Sequence, residues 1–411
     1  MRTITLYRSA HYSRSILPLL VLIAVALSFG SAMAQEAPVS NPYNPPQETK
    51  HIQLEEIWRI DEDSEGPVLG LPTRVVWDQE GRIYVLDAQL DQVNLYSPDG
   101  QFLESRYRTG DGPGEIRNPV DLILFSDGST GVLQEFPGKI VRLDNQGNPL
   151  PTVLVGGSQE KSGSALLMSG RAVSGQLYLA GGSRQKNENG EASMREFVSR
   201  FNLSGEEMRC HMEVQKPRRS HGSQLEEKDM INSSMLAWDV SPSGRVAVAI
   251  DWEKYLFLLT EPGGENTRLV AREYKPLRRS KEEIQLMESM TGGGQIKFAE
   301  YAPSIAIFQR GLQFRGDDEL LVLSSRGKRD LPDGVLARYD VFDGQGHFKQ
   351  WLEVECEGDP MSDRLIFLPG DKVIRIRRFV DALITSFGPG GLPATEEENV
   401  TPAVICYRIV K

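Results

Sequence analysis

The 411-residue chain carries 57 Asp and Glu against 46 Lys and Arg, a formal net charge of −11. That balance excludes the proteins that hold nucleic acid or anionic membrane surfaces through clustered Lys and Arg, because both displace counterions with basic side chains. With 39% hydrophobic and 25% charged residues the chain is neither fibrous nor disordered in composition.

Residues 1–34 read as a signal peptide. Arg2, Arg8 and Arg14 precede a mostly apolar run over 16–29, and Ala32-Met33-Ala34 offers small residues where a signal peptidase cuts. At about 1.5 Å per residue, that run falls short of the roughly 30 Å hydrocarbon core, so it is too short to anchor the protein. No Cys follows it to carry a lipid, and no later stretch is long and apolar enough to span a bilayer. The expectation is a protein exported to the periplasm or the extracellular medium, with no membrane insertion after cleavage. Losing a leader with three Arg and no acid leaves a still more acidic chain.

Residues 35–50 hold four Pro and no hydrophobic period, as an extended linker would. The fold is then expected over 51–411. His51 to Ile60 alternates, with Ile52, Leu54, Trp58 and Ile60 on one side, which predicts a strand without a neighbour nearby in sequence.

Residues 71–108 read as four short strands, over 75–78, 82–87, 92–97 and 101–107, joined by turns. The last turn, Ser97-Pro98-Asp99-Gly100, has Pro to preset φ and Gly to supply a positive φ. Four more such units follow. They turn at Asp144-Asn145-Gln146-Gly147, Asn202-Leu203-Ser204-Gly205, Glu261-Pro262-Gly263-Gly264 and Asp343-Gly344-Gln345-Gly346. Repetition of one supersecondary unit marks a closed or stacked array. A sixth unit offers strands only at 364–368, 372–377 and 403–410. Three strands leave an exposed edge, which is an aggregation hazard unless it is covered. The lone strand at 51–60 is the available cover. The predicted fold is therefore all-β: a six-bladed β-propeller of four-stranded antiparallel blades, its ring closed by pairing of the N- and C-terminal strands.

The connection Gly110-Asp111-Gly112-Pro113-Gly114-Glu115-Ile116-Arg117-Asn118-Pro119 resembles the G-x-G-P-G-E-x-x-x-P link of NHL-repeat-type bacterial six-bladed propellers. Leu71-Pro72 and Ala302-Pro303 resemble the Pro-led start of their innermost strand. The resemblance in frame covers 51–411 and implies the fold; it implies no activity, because propellers are reused for unrelated tasks.

Candidate chemistry lies on the face that carries the loops between second and third strands. The second strands end in Asp87, Glu135 and Asp251, with Lys139 and Lys254 close behind two of them. Three acids at one register could bind Ca²⁺ or another divalent cation through oxygen. The competing account is turn chemistry, in which such acids cap backbone N–H groups. Long polar loops are expected at 181–195 and at 325–334, the latter with Arg326, and a further one at 377–401. Ser280-Lys281-Glu282-Glu283 reads as a capping box opening a helix. The stretch 216–223, KPRRSHGS, is a basic cluster, and Gly292-Gly293-Gly294 reads as a helix stop.

After the leader there are His51, His211, His221 and His347, none placed to converge on a channel. Propeller lyases resembling this frame use channel His residues. Cys210, Cys356 and Cys406 are too few for a disulfide framework. A Cys356–Cys406 bridge and three half-buried thiols both remain open here.

The favoured reading is an exported, non-catalytic propeller whose loop-rich channel face binds a small molecule, a glycan or an envelope protein. The alternative is a lactonase-like hydrolase in which Asp87, Glu135 and Asp251 hold a divalent ion that activates water.

Overall fold

The computed structural model describes residues 5–6, 37–156, 165–186, 190–217, 225–230, 237–290, 296–387 and 401–410. The cleavage site at Ala34, most of the basic cluster, the Gly292-Gly293-Gly294 stop and the second half of the 377–401 loop lie outside the described residues.

Strands dominate, and they form antiparallel meanders in the order read from the sequence. The first sheet contains Pro72–Trp77, Ile83–Asp87, Gln92–Tyr96 and Phe102–Arg106, the second Pro119–Leu124, Thr130–Gln134, Lys139–Leu143 and Pro149–Leu154. The third contains Ala165–Val173, Gln176–Lys186, Ala192–Phe201 and Glu207–Pro217, the fourth Trp238–Val240, Val246–Ala249, Leu256–Thr260 and Thr267–Arg272. Second strands such as Ile83–Asp87 and Val246–Ala249 are buried along their whole length, since each is sandwiched between neighbouring sheets.

Eight further strands form one sheet. Its order is Leu312–Phe314, Glu319–Leu323, Val335–Asp343, Phe348–Glu355, Lys50–Ile60, Ala403–Ile409, Lys372–Arg377 and Arg364–Phe367. Lys50–Ile60 sits at the join. Its first residues run parallel to Leu352–Glu355, and Leu54 to Ile60 pair antiparallel with Ile409 to Val404. The early strand therefore pairs with Ala403–Ile409, as expected. Hydrogen bonding nevertheless fuses the last two meanders into one sheet, because an eleven-residue strand outruns a single partner. First strands of successive meanders lie side by side around the axis, and Arg364 Nη1 reaches from the last to the first, donating to Thr73 O at 2.9 Å. The architecture is an all-β propeller.

Four local expectations change. Within the supposed linker, Val39–Asn41 adds a parallel strand to the outer edge of the fourth sheet. Asn41 is buried there: its Nδ2 donates to Ala271 O and Gly346 O, both at 3.0 Å, and its Oδ1 accepts from Phe348 N at 2.7 Å. Three residues are too few to show a hydrophobic period.

The loop expected at 181–195 is mostly a ribbon, because Gln176–Lys186 and Ala192–Phe201 stay paired out to Lys186 and Ala192. Polar side chains hold this ribbon through cross-strand charge. Arg195 donates to Glu213 at 2.7 Å and to Glu207 at 2.9 Å.

The apolar start of the fifth meander, 305–314, is broken by a turn at 307–310, with Arg310 at φ 54°, leaving only Leu312–Phe314 as a first strand where a continuous one would match the other units. The apolar half of the 377–401 loop is a helix, Phe379–Phe387. The expected helix after Ser280 is present as Lys281–Met290, and Ser280 Oγ accepts the Glu283 N–H at 3.1 Å.

Cores lie between successive sheets. Phe257, Leu259, Val270, Phe342 and Phe348 pack where the fourth sheet meets the eight-stranded one. Ile60, Tyr96, Ile366, Ile376 and Phe379 pack where the eight-stranded sheet meets the first. Cys406 is part of that second core, and all three Cys are free thiols.

Candidate functional site

First strands line the axis of a propeller, so a charged residue in one of them is the feature that needs explanation. Five first strands here supply one each, Arg74, Asp121, Arg171 and Asp239 from the first four sheets and Arg364 from the eight-stranded one, and Arg310 joins them from the turn that precedes Leu312–Phe314. Local backbone helps to aim them. The ladder slips between Pro72 and Arg74, between Pro119 and Asp121, and between Leu167 and Ser169. A bulge of this kind redirects the side chain that follows it.

Arg171 is the hub. Its Nη1 donates to Asp121 Oδ2 at 3.0 Å and its Nε to Asp239 Oδ1 at 3.2 Å, while the guanidinium lies over the Trp238 ring. Arg310 Nη2 donates to Asp239 Oδ1 at 3.3 Å, and Arg74 Nε stands 3.3 Å from Asp121 Oδ1. Backbone N–H groups complete both carboxylates: Gly170 and Leu122 donate to Asp121 at 2.9 Å each, and Phe314 to Asp239 at 2.9 Å. Arg364 is tied to carbonyls, Phe308 O at 3.0 Å and Thr73 O at 2.9 Å, with its guanidinium carbon 3.4 Å from the centre of the Phe379 ring.

The cluster is therefore four guanidiniums against two carboxylates. Burial pushes the Arg74 and Arg364 guanidiniums well below their ordinary value and lowers Arg310, and mutual repulsion among the arginines adds to the effect. Nε of Arg74 and of Arg310 are buried with no hydrogen-bond partner in the protein. The site is enclosed without being sealed, since the Arg74 side chain is 9% exposed and those of Arg171 and Arg310 are 14% exposed.

A cleft of about 50 Å³ lies where the fourth sheet meets the eight-stranded one, lined by Tyr43, Arg272, Tyr274, Arg326, Asp330, Asp340 and Trp351 among others. Asp340 forms its floor, accepting from Tyr255 OH at 2.7 Å, Arg272 Nη1 at 2.8 Å and Trp351 Nε1 at 2.9 Å. Burial raises the Asp340 carboxyl, and the Arg272 charge opposes that rise.

The residues singled out from the sequence do not assemble one site. Asp87 is buried and accepts four backbone N–H groups, from Gly70 at 2.6 Å, Leu71 at 3.0 Å, Gln89 at 3.1 Å and Leu90 at 3.2 Å. Asp251 Oδ1 accepts from Glu253 N at 2.9 Å and Lys254 N at 2.8 Å. Turn capping thus occupies both carboxylates. Glu135 is off register: Pro119 pairs with Gln134 where Pro72 pairs with Asp87. Among the described residues no group of three or more His, Cys, Asp or Glu is placed to hold a metal ion, and the three acids read as Ca²⁺ or divalent-cation ligands are not brought together.

The basic residues are likewise apart from the axis. Lys139 opens a third strand opposite Gln134, and Lys254 is exposed, its carbonyl accepting from Ser304 Oγ at 2.8 Å. Arg326 lines the small cleft, held by Lys275 O at 2.6 Å and by Asp330.

The axial cluster has a signal in the sequence that lies inside strands, away from strand ends and loops. Arg74, Asp121 and Asp239 are single charges inside apolar runs, Thr73-Arg74-Val75-Val76, Val120-Asp121-Leu122-Ile123 and Trp238-Asp239-Val240. A lone charge in a first strand faces the axis or finds a partner there.

No family model and no curated protein matches the chain. Similar solved structures include a member of the DUF4221 family from Bacteroides vulgatus, 10% identical over 87% of this chain and 98% of that one, with a TM-score of 0.47. The PQQ-bound aldose sugar dehydrogenase of Streptomyces coelicolor is 12% identical over 86% and 98%, TM-score 0.44. Virginiamycin B lyase of Staphylococcus aureus is 8% identical over 87% and 100%, TM-score 0.38. At such identities and scores the fold assignment rests on this chain's own strand pairing.

Proposed function

We propose that this protein is an exported six-bladed β-propeller that binds a small molecule in its central channel without transforming it. The observation that carries the reading is the convergence of Arg74, Asp121, Arg171, Asp239 and Arg364 from first strands, and of Arg310 from the turn before one, onto one enclosed, partly exposed cluster. Dividing the eight-stranded sheet at Lys50–Ile60 supports the count of six blades. The basic lead-in, apolar run and Ala32-Met33-Ala34 support export.

Binding suits these groups better than catalysis. Guanidiniums keep their protons, and Asp121 and Asp239 are each held by arginine and by backbone N–H, so none of them is free to shuttle a proton.

The test is a thermal-shift and native mass-spectrometry screen of the purified protein against a library of neutral and charged metabolites. It is repeated on Arg310→Trp, which fills the channel from a turn outside the strand ladder. Ligands that protect the wild type and fail to protect Arg310→Trp support the channel site. Equal protection of both would overturn it.

A further inference from the structure

We infer that the channel ligand presents a compact oxyanion, a carboxylate or a phosphate, to Arg74 and Arg310; this rests on the channel reading above. The argument begins with charge. Several buried cations elsewhere in this acidic chain have acids to match: Arg272 meets Asp340 at 2.8 Å, Arg195 reaches both Glu207 and Glu213, and Arg279 holds both oxygens of Glu227. On the axis the balance fails, with four guanidiniums and two carboxylates brought together.

Enclosed, unmatched positive charge is costly, and the cost falls most steeply when an anion enters. Arg364 is already committed to backbone carbonyls and the Phe379 ring, and Arg171 to both acids. That leaves Arg74, whose one ion-pair contact is the 3.3 Å approach of its Nε to Asp121, and Arg310, with one long bond to Asp239 and an unpartnered buried Nε. A planar fork of N–H donors is matched by the paired oxygens of a carboxylate or phosphate. Lysine or a bound cation would not complete such a set, because the donors present are all N–H.

The experiment titrates the purified protein with sodium phosphate and with disodium succinate, by calorimetry and thermal shift, against sodium chloride at matched ionic strength to remove general screening. Saturable binding is expected for at least one of them. The preferred probe tells phosphate from carboxylate. Affinity should fall at least tenfold in Arg74→Gln and in Arg310→Gln, stay near wild type in Arg326→Gln, and be partly kept in Arg74→Lys. Near-UV circular dichroism reports whether each variant is folded; if Arg74→Gln is not, Arg310→Gln and Arg74→Lys decide.

No saturable response to either probe, or an undiminished response in Arg310→Gln, overturns the inference. If neutral metabolites bind and are lost in Arg310→Trp while both oxyanions are inert, the channel reading stands and the anion inference falls. If an oxyanion binds Arg310→Trp as well as wild type, the channel reading falls with it.

Discussion

Trp58 of the closing strand lies directly over Gly100 in the outer turn of the first sheet. A Cβ added to Gly100 would come 2.7 Å from the indole ring, and Trp58 Nε1 donates to Pro98 O at 3.0 Å. The closing strand is thus fitted to a turn on the neighbouring sheet as well as to its own partner. Gly100 also sits at φ 81°, where a side chain costs about 1–2 kcal/mol. Gly100→Ala should therefore lower stability by about 2–3 kcal/mol, read as a drop in the urea midpoint at constant slope. An unchanged midpoint would show that Trp58 does not bear on the turn.

His211 predicts a pH dependence. It is stacked on Tyr178 with ring centroids 5.8 Å apart, neither ring nitrogen has a partner, and burial pushes its pKa down to about 4. The folded protein keeps His211 neutral at pH values where the unfolded chain, with a pKa near 6.5, takes up a proton. Its contribution is full above pH 6.5 and falls as the pH drops towards 4, reaching a loss of about 2 kcal/mol at pH 5. His211→Phe should remove that part of the slope, seen by comparing unfolding curves of variant and wild type at pH 7.5 and pH 5. Parallel slopes would contradict it.

Asp340 and Arg272 form a buried pair at 2.8 Å, with Tyr255 and Trp351 also donating to the carboxylate. Asp340→Leu alone leaves Arg272 uncompensated and should cost about 3–5 kcal/mol. Asp340→Leu with Arg272→Met removes both charges and should recover much of that loss. A double-mutant cycle measures the coupling; additive costs would mean the pair does not act as a unit.

Asn41 holds the N-terminal strap by bonds to Ala271, Gly346 and Phe348. Asn41→Ala leaves two carbonyls and an N–H unpaired at a buried place, for about 2–3 kcal/mol. Hydrogen exchange should quicken along Thr267–Arg272 and leave Ile83–Asp87 untouched. Uniform acceleration would mean the strap stabilises the whole ring.

Asp87 accepts four backbone N–H groups. Asp87→Ala should lower the melting temperature by the same amount with Ca²⁺ or with a chelator present, because the lost bonds are to backbone. A shift that depends on Ca²⁺ would restore the cation site that the geometry does not assemble.

Much of this fold was legible in the residues. Alternation in His51 to Ile60 and the polar-x-x-Gly turns mark strand ends by backbone requirement, and those requirements hold whatever the neighbours are. What escaped depends on partners far away in the chain. The ribbon at 183–195 is held by Arg195 pairing across to the next strand, so its sequence looks like a loop. Pro72 pairs with Asp87 and Pro119 with Gln134, so Asp87 aligns with Gln134 and the apparent match with Glu135 dissolves. Arg74 and Asp121 were visible as isolated charges, yet their meaning needed the ring that sets them side by side.

The strand at Lys50–Ile60 is clasped by Ala403–Ile409, which emerges far later in the chain. Until residues 403–409 are made, that earlier segment and Lys372–Arg377 each show a bare flank of amide and carbonyl groups. A product that terminates before residue 403 keeps both flanks for good. Such a fragment can satisfy them only against a second copy, so premature termination should yield interlocked oligomers instead of shorter monomers.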